Sequence, residues 1–128
     1  MATKKIPEFP ITPEQVAEFK RLLPIWVELL NLGDWRITFT RKRPIANHAH
    51  VEIFDDDRLA RISIGRDWGS NPPSEFELED TLVHELLHVK VFDLAKSAEK
   101  HNAETVNALE HAVIIPLSKT LVRLRNQK

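Results

Sequence analysis

An α+β fold is expected from three observations. Stretches with helical spacing of apolar residues open and close the chain, three short alternating segments lie between the first and second of them, and no shift of composition separates one part from another. The order is therefore an N-terminal helix, three strands in a mainly antiparallel sheet, a central helix and a C-terminal helix. With 128 residues, 42% of them hydrophobic, the chain can close one substantial core, so residues 1–128 are read as a single domain. Residues 1–11 are expected to be a flexible leading segment.

The first helix begins at Thr12-Pro13-Glu14-Gln15, where Thr12 caps, Pro13 fills a position that needs no N–H, and Gln15 completes a capping box. Val16, Phe19, Leu23, Trp26 and Leu30 follow near the 3.6 period and form its apolar stripe. Pro24 predicts a kink or a division, and Gly33 a stop. In the first strand Trp35, Ile37 and Phe39 share a face. After the break at Pro44, His48 to Phe54 alternates with Val51 and Ile53 inward. A third strand, Leu59 to Gly65, follows the Asp55-Asp56-Asp57 turn and points Ala60, Ile62 and Ile64 inward. The short connections predict a meander with one face covered by helices.

Asp67 to Pro73 reads as a loop packed down by Trp68. Ser74 and Glu77 form a second capping box, and Glu75, Glu79 and Asp80 suit the positive end of a helix running to about Leu94. Ser97 is placed as cap of the last helix, whose apolar face is read as Val106, Leu109, Val113, Leu117, Leu121 and Leu124, bent or divided near Ala112 by Pro116.

Composition excludes several functions. Eighteen basic and 19 acidic residues give a formal charge of -1, which argues against nucleic acid as a partner. Absence of cysteine removes disulfides, thiolate nucleophiles and cysteine zinc sites, so a metal must be held by His, Asp or Glu. The first ten residues resemble neither a signal peptide nor an anchor, and no apolar run approaches the roughly 20 residues of a membrane span. A cytoplasmic location is the default, and the absence of cysteine suits an exported protein almost as well.

The chemistry concentrates in His84-Glu85-Leu86-Leu87-His88. On a helix the two imidazoles stand one turn apart on one face, with Glu85 about 100° round the axis, the arrangement that zinc and a general base require. A catalytic zinc site keeps one of its four positions for water, so a third protein ligand must come from elsewhere. Glu110 is favoured because it shares the presumed inward stripe of the last helix, where a carboxylate is costly unless a cation offsets its desolvation. Glu104 and His111 are the alternatives.

With His84, Glu85, His88 and Glu110 in this order, Glu110 following His88 by 22 residues, the chain resembles a single-domain zincin of the minimal gluzincin type; small SprT and ImmA domains share parts of the pattern. Leu109 stands where larger gluzincins carry an Asn before the ligand. The resemblance implies a zinc-dependent peptidase acting on a peptide or protein. It further implies substrate pairing with the third strand, Leu59 to Gly65, and a helper for the developing oxyanion drawn from His111, His101, His50 and Arg66, His111 first. A non-catalytic zinc-binding interaction domain is the rival, and Glu85 argues against it. His48 and His50 read more simply as a solvated strand face, and Lys119, Arg123, Arg125 and Lys128 as a basic end that complements the helix dipole.

Overall fold

The computed structural model describes residues 11–40, 49–64, 73–99 and 102–127. The leading segment up to Pro10, the break at Pro44, His48, Gly65, Arg66, the Trp68 loop, His101 and Lys128 lie outside the described residues. Ile11, placed by the sequence in the flexible leader, is buried at 6% exposure.

Helix α1 (Pro13–Leu29) carries the expected capping box, Thr12 Oγ1 accepting from the Gln15 N–H at 3.1 Å and Gln15 Oε1 from the Thr12 N–H at 3.0 Å. It runs as one element through Pro24, so of the kink or division expected there the division does not occur. It also ends before Gly33. Asn31 adopts the left-handed conformation (φ 55°), the Leu32 N–H reaches Val27 O at 2.8 Å and the Asn31 N–H reaches Glu28 O at 3.1 Å. That pair of bonds is a Schellman closure, and Asn is one of the few residues besides glycine that take up the left-handed position there. Phe19, Leu22 and Trp26 are the residues this helix buries.

Strands β1 (Arg36–Thr40), β2 (Ala49–Phe54) and β3 (Leu59–Ile64) form a sheet in the order β1-β3-β2. The sheet is not the expected meander. β3 pairs antiparallel with β2 and parallel with β1, so the sheet is mixed and β3 lies at its centre. A central strand loses solvent on both edges, which accounts for burial of Ala60, Ile62, Ser63 and Ile64. Between β2 and β3 the Asp55–Asp57 turn is 3-10, closed by Arg58 in the left-handed region (φ 47°). The Arg58 guanidinium lies 4.0 Å from the Trp35 ring and pairs with Asp34 and Asp93, tying this corner to the second helix.

Helix α2 (Glu75–Ala98) starts at the Ser74–Glu77 capping box and continues past Leu94, so Ser97 lies inside it. Helix α3 (Ala103–Arg125) is instead capped by Asn102, whose Oδ1 accepts from the Thr105 N–H at 3.0 Å, and it passes through Pro116 as one element. Its phase differs from the expected one. Ile114, Ser118 and Val122 face the core, while Leu109, Val113, Leu117 and Leu124 are exposed. With Val91, Leu94, Ala95, Ala98 and Val106, the first two of these line an apolar groove of about 350 Å3 between the helices.

Two carboxylates, one buried and one half-buried, fasten the helices together. Glu79, 4% exposed, accepts from Trp26 Nε1 at 2.6 Å, from Asn126 Nδ2 at 3.0 Å and from both nitrogens of an Arg125 fork. Burial pushes its carboxyl up, and the donors outweigh that and hold it below the ordinary carboxylate value. Asp80 accepts from Ser118 Oγ at 2.6 Å and pairs with Lys119 Nζ at 2.9 Å. Since Asp80 is one turn before His84, this second clamp sets how α3 lies against the motif. Arg125 and Lys119 are thus specific partners as well as a basic end.

Candidate metal centre

His84 and His88 lie on α2 with ring centres 5.1 Å apart, as an i, i+4 pair must. From α3, His111 closes the group, its ring centre 6.1 Å from that of His84 and 4.8 Å from that of His88. One ligand nitrogen from each of the three lies within 4.8 Å of the others. The reason is the phase of α3: His111 precedes Ile114, Ser118 and Val122 by 3, 7 and 11 residues, so it shares their inward face. The sequence stripe through Val113 and Leu117 pointed instead to Glu110.

Glu110 sits one layer out. Its Oε1 meets His88 Nδ1 at 3.0 Å, both side chains being about 15% exposed. A carboxylate can only accept, so it selects the tautomer with the proton on Nδ1 and leaves the Nε2 lone pair of His88 for a metal. His111 is set in the same way, since its Nδ1 lies 2.9 Å from the carbonyl oxygen of Asn107, one turn earlier. Asn107 was not legible as a site residue because its backbone, not its side chain, does this. At His84, burial first and then His88 and His111 hold the imidazole below its ordinary value, favouring the neutral ring that ligation needs.

Glu85 is 7% exposed and borders the same cleft. Burial alone lifts its carboxyl from 4.5 to about 7. A base poised near neutrality can take a proton and return it.

The cleft, about 390 Å3, has the three imidazoles, Glu85 and Glu110 on the helix side, and His50, Val51 and Ile53 of β2 on the other. The strand beside it is therefore β2. β3, expected to receive substrate, has both edges occupied by its neighbours.

The residues fit zinc: three imidazoles from two helices, two of them with Nδ1 held by an acceptor, and a fourth side open to the cleft. The geometry is that of a zincin-like His-Glu-x-x-His…His triad and matches the catalytic zinc site typical of HExxH metallopeptidases. Where the gluzincin resemblance implied a glutamate at the third position, a histidine joins the cluster. Compared with protein-family models, curated proteins and solved structures, the chain gives no match. The class therefore stands on the fold and the site.

Proposed function

We propose that this protein is a zinc-dependent peptide hydrolase in which His84, His88 and His111 hold the metal, Glu110 orients His88, and Glu85 is the general base. The observation that carries the reading is the convergence of three imidazoles from α2 and α3 beside a buried glutamate in one cleft. Zinc bound there would acidify a water and polarise a carbonyl. Glu85 would accept the proton released as water attacks the peptide carbonyl and return it to the departing amine, which keeps the proton count balanced over one turnover. Its burial keeps bulk water from competing for that proton.

Peptide or protein substrate is favoured because the outer edge of β2 has no strand paired to it among the described residues and runs beside the cleft. An extended backbone placed there would gain main-chain hydrogen bonds whatever its side chains. His111, first choice as oxyanion helper, is reassigned to the metal in this reading. A single domain is supported by one continuous core drawn from all three helices and the sheet. No helix among the described residues is long and apolar enough to cross a membrane, which suits the proposed cytoplasmic location.

The test is hydrolysis of an unstructured fluorogenic peptide pool by zinc-loaded wild type and Glu85→Gln. Wild type should cleave, and the variant should keep its zinc and lose turnover by about 100-fold or more. A wild type fully loaded with zinc and inert on every peptide, or a fully active variant, would remove the hydrolase assignment.

A further inference from the structure

The cleft continues along α2 beyond the imidazoles. Phe92, Ala95, Lys96 and Glu99 follow His88 by 4, 7, 8 and 11 residues, hence on the same helical face, and all four line the cavity that holds the three imidazoles. At 1.5 Å per residue, Phe92 lies about 6 Å and Glu99 about 16 Å along the axis from His88. Val51 and Ile53 of β2, packed against the core and half-buried, form the facing wall. Along α2 the first residues after the imidazoles, Phe92 and Ala95, are thus apolar and the charged Lys96 and Glu99 follow them, while Asn107 and Glu110 of α3 line the same cavity. Lys96 is already engaged, its Nζ 2.6 Å from Asp55 Oδ2 and 5.8 Å from the centre of the Phe92 ring.

That ion pair also gives direction. Asp55 follows the last residue of β2, and Lys96 lies in the last turns of α2, so strand and helix run the same way past the cleft. A peptide pairing antiparallel with β2, the slightly more stable arrangement, would run oppositely, its amino-terminal residues toward Lys96 and its carboxy-terminal residues toward His84. We propose that Val51, Ile53, Phe92 and Ala95 form a subsite for an apolar side chain one or two residues before the scissile bond. At roughly 3.3 Å per extended residue, the 6 Å from His88 to Phe92 corresponds to that position, and Ala95, about 10 Å along the axis, bounds its far side. The inference rests on the hydrolase reading for its substrate class and deepens it by fixing which side of the bond is selected.

The experiment is calorimetric titration of the zinc-loaded protein with short peptide hydroxamates, whose hydroxamate takes the place of the scissile carbonyl. Acetyl-Leu-Leu-hydroxamate should bind about 10-fold or more tighter than acetyl-Gly-Gly-hydroxamate, as burial of apolar side chains predicts. Leucines placed on the carboxyl side of a hydroxamate should bring no comparable gain. Ala95→Phe, which fills the wall, should reduce the leucine preference to about onefold while zinc content stays at the wild-type level, and Leu94→Ser, outside the cleft, should keep the preference. If Ala95→Phe does not fold, the two wild-type comparisons still decide. Equal affinity for leucine and glycine compounds, or a preference on the carboxyl side only, overturns the subsite. The expected preference in a protein that cleaves no peptide upholds the subsite and removes the hydrolase reading alone.

Discussion

Replacing Glu85 by Gln should stabilise the metal-free protein, by an amount that grows with pH. Burial raises the Glu85 carboxyl from 4.5 to about 7, so the folded protein holds this proton more tightly than the unfolded chain does. For a group shifted upward, its contribution to stability is fully present below pH 4.5 and is lost as pH climbs through 7. At 1.36 kcal/mol per pH unit, the cost of ionising Glu85 in place reaches about 3 kcal/mol above pH 8. Glutamine cannot ionise, keeps nearly the same shape and escapes that cost. Urea unfolding of both proteins in chelator, followed by circular dichroism from pH 4.5 to 8.5, reads the difference directly, because the other titrating groups are common to both. The variant's advantage should rise by about 3 kcal/mol across that interval, with most of the change between pH 5 and 7.5. A difference independent of pH would show that the folded protein holds the Glu85 proton no more tightly than the unfolded chain does, and its role as a base held near neutrality would fall.

The corrected phase of α3 gives a pair of stability predictions. Ile114→Ala should cost about 2–5 kcal/mol, because the side chain is 1% exposed and leaves a cavity. Leu109→Ser should change stability by no more than about 0.5 kcal/mol, its side chain being 60% exposed, whereas the apolar stripe read from sequence would make it the damaging change. Thermal or urea denaturation of the two variants distinguishes the faces, and a reversed order would restore the sequence-derived one.

Much of this molecule was legible because the signals were local. Both capping boxes, the alternation of the three strands and the helical register of His84, Glu85 and His88 need only neighbouring residues, and each is present. What could not be read is set by distant partners. Nothing within Leu59–Ile64 says that it will lie between the other two strands, since that depends on pairing with segments distant in sequence. On α3, Ser118 occupies a core position because Asp80 of another helix accepts its hydroxyl, and this polar residue disguised the buried face. The same stripe favoured Glu110 over His111, whereas the inward face brings His111 to the two imidazoles of α2. Conversely, Pro24 and Pro116 look like breaks, yet the helices continue through both. Proline removes one N–H, and packing on either side can carry that loss.

Zinc stoichiometry and affinity in wild type, His111→Ala and Glu110→Ala bear most directly on the central claim that three histidines hold the ion and a glutamate orients one of them. Measured by competition with a chromogenic chelator, wild type should bind one zinc per chain. Glu110→Ala should still bind it, about 10- to 100-fold more weakly, as expected for a lost hydrogen bond to a ligating imidazole. His111→Ala should lose a direct ligand and be the more severe of the two. Undiminished zinc binding in His111→Ala, together with its abolition in Glu110→Ala, would make the carboxylate the third ligand and contradict the arrangement described here.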